Sequence, residues 1–274
     1  SITLVDNFSL DDVMAGLLAN SKYKAPQEGK YYRIQNLNYK TYMNEGITSN
    51  GLGCEGLNED KLAQYWTLVK IGSGFALQNV CTQRYVVRQG GALSRQYTTQ
   101  EAKPGQGFTC KRTADDTNFT YYIVDNGGVG LHCDQGSNVV GWHTEGLSTS
   151  TWGFEEVELT DEFIQKGREE LNAFKDLVAN ISTYNTTLAN LFQDKACTTL
   201  KEEIQALTDE QLEANTDYAS LPEAIKAMVK KVKNNTWQVY ERANGYSRGF
   251  EKFFRVRDDY KVYSNYQKMS WNEY

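Results

Sequence analysis

From about residue 29 to 159 the chain consists of short apolar runs cut by Gly, Asn, Asp, Ser and Thr. Tyr31-Tyr32-Arg33-Ile34, Phe75-Ala76-Leu77, Arg84-Tyr85-Val86-Val87 and Tyr121-Tyr122-Ile123-Val124 are of this kind. They predict many short strands joined by turns, as in a sandwich or barrel. Ahead of them, Leu10, Val13, Met14, Leu17 and Leu18 repeat at helical spacing. Ser9 caps that helix and Ala25-Pro26 ends the pattern, so 1–28 reads as a helix and linker. After Thr160 the period is helical again: Leu171, Phe174, Val178 and Ile181, then, after a break, Tyr184, Leu188 and Leu191. Thr208 with Gln211 and Ser220 with Glu223 are capping-box pairs, with Pro222 in a first turn. Ile225, Met228, Val229 and Val232 mark one buried face, and Asn234, Asn235, Asn244 and Gly245 end the last helix. Four or five helices with short connections predict a small bundle over 160–248. Residues 249–274 mix aromatic and charged side chains without a period and read as a tail leading to a further domain.

The strand-rich region repeats itself. Tyr31–Ile34 leads through Lys40–Asn44 to Gln64-Tyr65-Trp66. Phe75–Asn79 leads through Gln83–Val87 to Gln106-Gly107-Phe108, and Tyr121–Val124 leads through Gly130–His132 to Ser150-Thr151-Trp152. Gln64, Gln106 and Ser150 are about 42 and 44 residues apart, which accommodates three units of four short strands.

This threefold set resembles the ricin-type β-trefoil lectins, whose repeats end in Gln-x-Trp. The resemblance covers roughly 29–159 and implies a six-stranded barrel capped by three hairpins, with Trp66, Phe108 and Trp152 in the shared core. The fold class expected is thus a β-trefoil followed by a small α-helical bundle. Sugars are held by stacking on an aromatic face while a few polar groups read the hydroxyls. Carried over, the resemblance makes Val139-Val140-Gly141-Trp142 the platform strand and places His132, or Asp134, near the family's acidic position. Asn138 and His143 lie close enough in sequence to add hydrogen bonds. In the first repeat the corresponding positions are Asn44 and the neighbourhood of Cys54, in the second the acidic position is Val87 with Tyr97 the only nearby aromatic, and both sites are expected to be eroded. No repeat carries an unambiguous acid at the family's position. The residues alone leave Trp142 open between platform and half-buried strand tryptophan, and His132 between ligand contact and a histidine satisfied within the protein.

Composition narrows the chemistry. A formal net charge of −6 over 274 residues argues against a general nucleic-acid partner. No stretch approaches the roughly 20 apolar residues of a transmembrane helix, and the first residues lack a signal-peptide pattern, so any export signal is expected to have been removed or never to have been there. Cys54, Cys81, Cys110, Cys133 and Cys197 form no CxxC pair, and an odd count leaves at least one thiol unpaired in the chain. Buried free thiols are expected, with a strand-to-strand disulfide open. The two histidines form no HExxH, nothing marks a nucleophile, and no carboxylate pair stands out, so neither catalytic residues nor a metal or other cofactor is assigned. Gly51-Leu52-Gly53-Cys54-Glu55-Gly56 matches GxGxxG but reads as a turn-rich loop. Lys230-Lys231-x-Lys233 reads as a solvated helix end.

The helical region carries a second resemblance. Ala196–Lys201, Leu207–Leu212, Leu221–Ile225 through Asn234–Trp237, and Phe253–Ser264 are similar to the segment ahead of the catalytic domain in enhancin-like zinc metallopeptidases of gut Bacteroidetes. That resemblance implies a secreted or outer-surface protein, mucin-type glycoprotein targets, and a catalytic domain downstream. The sequence therefore leads to a non-catalytic glycan-binding module, with a ligand-free accessory trefoil and a trefoil protease inhibitor as the competing readings.

Overall fold

A computed structural model describes residues 21–46, 50–90, 93–115, 118–192, 206–233, 254–256 and 262–264. The helix expected over 9–18, Cys197 and the helix-ending Asn234, Asn235, Asn244 and Gly245 lie outside the described residues. The strands of the first region are β1 (Tyr31–Asn36), β2 (Tyr42–Glu45), β3 (Leu52–Glu55), β4 (Trp66–Ile71), β5 (Gly74–Asn79) and β6 (Tyr85–Arg88). They continue with β7 (Tyr97–Gln100), β8 (Thr109–Arg112), β9 (Thr120–Val124), β10 (Gly130–Asp134), β11 (Asn138–Trp142) and β12 (Thr151–Val157).

Their pairing closes a ring. β1 pairs with β4, β4 with β5, β5 with the start of β8 through Phe75↔Phe108, β8 with β9, β9 with β12, and β12 with β1. The other six strands form three hairpins, β2–β3, β6–β7 and β10–β11. These hairpins meet one another at Asn138↔Gly53, Gly51↔Thr98 and Gln96↔Val140. A closed six-stranded barrel capped by three mutually bridged hairpins is the β-trefoil, as the repeat predicts, and closure leaves the barrel strands no free edge.

The core follows from period-two alternation. Trp66 and Trp152 are fully buried and Phe108 nearly so. The indole N–H of Trp66 donates to the Met43 carbonyl at 3.0 Å, and that of Trp152 to the Leu131 carbonyl at 2.9 Å. Each tryptophan thereby ties a barrel strand to the first strand of its own cap. Cys54, Cys81 and Cys133 are buried and Cys110 is half-buried, none of them in a disulfide.

The Gly-rich stretch expected to be a loop is instead largely β3, and its glycines serve hairpin contact. A Cβ at Gly53 would stand 2.9 Å from the Ser137 carbonyl oxygen, and one at Gly51 2.8 Å from Gln96 Nε2. Both hairpins can approach β3 because nothing projects there.

A second threefold signature lies at the ends of β1, β5 and β9. Asn36 Oδ1 accepts from the backbone N–H of Asn38 and Tyr39, Asn79 Oδ1 from Cys81 and Thr82, and Asp125 Oδ1 from Gly127 and Val129. Each is an Asx turn followed by a residue of positive φ: Lys40 (58°), Gln83 (61°) and Gly128 (77°).

The residues before β1 are strapped to the barrel. Lys24 N–H donates to the Phe154 carbonyl at 2.7 Å, and the ring of buried Tyr23 occupies the space above Gly153, where a Cβ would stand 2.4 Å from it.

α1 (Asp161–Phe192) is a single continuous helix. Thr160 Oγ1 caps it by accepting from Phe163 N–H at 3.1 Å. The break expected after Ile181 does not occur. Polar side chains there bond back onto the helix itself, Asn180 Nδ2 to the Asp176 carbonyl and Thr187 Oγ1 to that of Thr183, so they do not interrupt it. The chain divides into compact units at Arg168/Glu169, so the first turns of α1 belong with the barrel. Phe163 meets Tyr65 edge-on at 5.8 Å, and Arg168 Nε donates to the Val80 carbonyl at 3.1 Å. A Cβ at Gly167 would stand 2.6 Å from Leu62 Cδ2. Gly167→Ala is accordingly expected to destabilise the protein by about 1–2 kcal/mol, although alanine is the better helix former by about 1 kcal/mol. Urea unfolding measures this, and a stabilised variant would show that α1 does not pack there.

In the second unit the described residues form α2 (Asp209–Glu213), α3 (Thr216–Ala219) and α4 (Glu223–Lys233), and a short hairpin of β13 (Phe254–Val256) with β14 (Val262–Ser264). The Thr208–Gln211 capping box is present in both directions, at 3.1 and 2.9 Å. Ser220, expected to cap the next helix, instead donates its hydroxyl to the Asp217 carbonyl. Leu212, Tyr218, Leu221, Ile225 and Val229 are buried. Two lysines of the cluster read as a solvated helix end form ion pairs, Lys230 with Glu213 and Lys233 with Asp209. Among the described residues the helical region thus holds four helices, one long and three short, the lower of the two numbers expected. No described helix is long and apolar enough to cross a membrane.

Candidate functional site

The β10–β11 hairpin gathers the expected residues. Its register runs from Gly130↔Trp142 through His132↔Val140 to Asp134↔Asn138. Alternation puts Gly130, His132, Asp134, Asn138, Val140 and Trp142 on one face and the buried Leu131, Cys133 and Val139 on the other. The turn joining the strands has positive φ at Gln135 (49°) and Gly136 (80°), with Ser137 N–H donating to the Asp134 carbonyl. Four of the five residues read from the sequence therefore share a surface. His143 follows Trp142 on the opposite parity and touches it edge-on, with ring centroids 5.5 Å apart.

Trp142 is 37% exposed. The His132 ring lies 6.1 Å from the indole, tilted by 46°. Across the hairpin Gly130 leaves a gap that the Thr144 methyl occupies, since a Cβ at 130 would stand 2.0 Å from it. On the outer edge of β11, residues 94–96 of the second repeat add backbone bonds from Ser94 N–H to the Gly141 carbonyl and from Gly141 N–H to that of Arg95. Gln96 Nε2 donates to Asn138 Oδ1 at 3.3 Å and so orients that amide.

The His132 ring is held from below. Its Nδ1 lies 2.8 Å from Ser150 Oγ, and Ser150 Oγ donates to the His143 carbonyl at 2.7 Å. Burial pushes the ring's pKa below the usual histidine value, the Asp134 carboxylate opposing it, so the ring is neutral at pH 7. Ser150 is the residue that replaces glutamine in the third repeat. In the first repeat Gln64 does the equivalent work, donating to the Gly56 carbonyl and to Glu55 Oε1.

The same register shows why the other two repeats lack this surface. The positions matching Trp142 are Glu55, opposite Tyr42, and Gln100, opposite Tyr85. Cys54, near which the first platform was expected, and Tyr97, the one aromatic near the second, point inward and are buried. The offset is one residue at Cys54, and a one-residue slip inverts a strand's faces. Glu55 is engaged by Lys61 and Gln64, at 2.7 and 2.8 Å. In the second repeat Val87, Arg88, Gly105, Gln106 and Asn126 line a cleft of about 310 Å3, where Arg88 pairs with Asp125 at 2.5 Å. No exposed aromatic side chain lines that cleft, since Phe108 lies in the core. Among the described residues no three His, Cys, Asp or Glu side chains gather as a metal site.

No protein-family model matches the chain, and no curated protein matches it. Solved structures do resemble it. A Macrolepiota procera ricin B-like lectin in complex with lactose is 16% identical and covers 49% of this chain and 100% of its own, with a TM-score of 0.44. The Rhizoctonia solani agglutinin is 15% identical over 48% of this chain and 99% of its own, with a TM-score of 0.41. A designed 3-fold symmetric protein, ThreeFoil, is 15% identical over 46% and 99%, also with a TM-score of 0.41. The likeness is one of fold, and the strand pairings by themselves make residues 31–157 a β-trefoil.

Proposed function

We propose that the chain is a carbohydrate-binding module that holds a glycan on the β10–β11 face. The observation carrying this reading is the exposed Trp142 flanked on one surface by His132, Asp134 and Asn138. An indole face matches the apolar face of a sugar ring, and convergent polar groups around it read hydroxyls. The trefoil-lectin likeness of the repeat supports the same reading. Because Glu55 and Gln100 stand where the other repeats would need an aromatic side chain, each trefoil binds one glycan. Removing a buried aromatic anchor from an interface costs about 2 kcal/mol or more, roughly thirtyfold in Kd. Trp142→Ala is expected to cost that much on a glycan array or in calorimetric titration, while the half-exposed position leaves the fold intact by circular dichroism. Unchanged glycan binding by this variant would remove the site.

In the same reading the protein works at or outside the cell surface and carries no catalytic centre of its own. The helical region spaces the trefoil from a downstream zinc-metallopeptidase domain, and the glycans reached are those of mucin-type glycoproteins. The likeness of 196–237 and 253–264 to enhancin-like proteins supports this part. It is tested by the reading frame beyond Tyr274: an HExxH motif there supports the arrangement, and a stop codon ends it.

A further inference from the structure

The hydrogen-bond chain beneath His132 fixes more than the ring's orientation. The His143 carbonyl can only accept, so the single Ser150 hydroxyl proton is committed to it. Ser150 Oγ must then accept from His132, which requires the ring proton on Nδ1. In a neutral imidazole the other nitrogen, Nε2, is then an acceptor. We infer that His132 Nε2 and the Asp134 carboxylate form an acceptor pair beside the indole, with the Asn138 amide N–H as the donor of the same face, and that the face selects neutral or amino-bearing sugars and rejects sialylated or sulfated ones. This rests on the glycan-binding reading and names its ligand class.

The charges around the ring agree. Asp134 forms no ion pair among the described residues. The other charged groups and histidines on the surrounding elements are His143 and exposed Glu145 after β11, Arg95 in the 94–96 segment, Glu55 of β3 and Arg88 of β6. Glu55 is held by Lys61, and Arg88 is paired with Asp125, with its Cδ 3.3 Å from where a Cβ at Gly141 would stand. A Cβ at Gly90 would meet the Arg95 side chain at 3.8 Å, so this cation lies along Gly90. A carboxylate or sulfate brought to the face would meet Asp134 and a nitrogen lone pair, an arrangement that costs binding. A sugar hydroxyl or ammonium group supplies the donor both need. Protonation turns Nε2 into a charged donor, so affinity for ammonium-bearing sugars falls as pH drops through the ring's pKa, whereas a hydroxyl can reverse its role and accept. Burial has lowered that value, which keeps the acceptor in place through neutral pH and weakens it only in acid.

The experiment has two arms on the full chain. Long-range 1H–15N NMR of the histidine rings at pH 7.5 is expected to show His132 protonated on Nδ1 and bare on Nε2. A glycan array with neutral, amino-sugar-terminated, sialylated and sulfated oligosaccharides is expected to give hits only in the first two groups. Those hits should weaken about fivefold to tenfold in His132→Ala, the loss of one hydrogen bond. Binding of sialylated or sulfated glycans that depends on Trp142, or a ring protonated on Nε2, overturns the inference and leaves the glycan-binding reading standing. Absence of binding to every oligosaccharide on the array overturns both.

Discussion

Trp152→Ala is expected to lower the unfolding free energy by about 3–5 kcal/mol, the range for emptying a large aromatic site in a packed core. Trp152 is fully buried. Its removal also strands the Leu131 carbonyl, which accepts the indole N–H at 2.9 Å. A stranded buried acceptor adds about 1–3 kcal/mol where water cannot reach it. Trp152→Phe separates the two contributions, because the second repeat already holds a phenylalanine, Phe108, at the equivalent place. That variant keeps most of the volume and loses the hydrogen bond, so a cost of about 1–2 kcal/mol is expected. Urea unfolding followed by circular dichroism measures both. Equal losses in the two variants would mean that the indole N–H, rather than the packed ring, holds β12 to the third cap. Leu131 precedes His132, so the Phe variant is also expected to loosen the β10–β11 hairpin before the barrel itself unfolds.

The second large effect is expected at Glu45, whose carboxylate is fully buried at the end of β2. Thr99 Oγ1 donates to it at 2.8 Å, and the Thr82 hydroxyl and the Arg84 guanidinium complete its shell. All three donors come from the second repeat, so this ion pair joins the first hairpin to the second. Glu45→Ala leaves the arginine, itself largely buried, without its counter-charge, and breaking one side of a buried pair costs about 3–5 kcal/mol. Replacing both members, as Glu45→Leu with Arg84→Met, is expected to cost much less, because the desolvation of both charges is removed as well. A double-mutant cycle in urea reads the coupling. Additive single and double losses would show that the pair contributes nothing as a pair.

Much of the architecture could be read along the chain. Trp66, Phe108 and Trp152 recur at a near-constant interval because each repeat must place one large ring in the shared core. The strands around them alternate because each has one wall inside. Even the Thr208–Gln211 cap was visible, since a capping box needs only two residues at fixed spacing. Three features were less visible. The Asx turns at Asn36, Asn79 and Asp125 recur at a similar interval, but Asn and Asp are common in every loop of this chain and carry no periodic signal. Gly51 and Gly53 looked like loop residues, because the hairpins that need their bare Cα atoms come from residues some 40 positions or more away. The break expected after Ile181 failed because Asn180 and Thr187 satisfied their own polar groups on the helix.

The candidate site divides in the same way. Sequence alone put Trp142, His132, Asp134 and Asn138 on adjacent strands of one repeat, since local order along a hairpin is fixed by the chain itself. Repetition likewise dictated a barrel, because three similar segments of alternating polarity bury their apolar faces together. Register and proton placement came only with the folded molecule. Pairing of Gly130 with Trp142, and of Tyr42 and Tyr85 with Glu55 and Gln100, decided which repeat shows an aromatic face, and a slip of one residue would have reversed it. The acceptor character of His132 was decided by a serine 18 residues away and a backbone carbonyl, groups whose meeting no linear pattern encodes. Hydrogen-bond direction depends on what each partner is already bonded to, and that is settled only when distant parts of the chain are packed together.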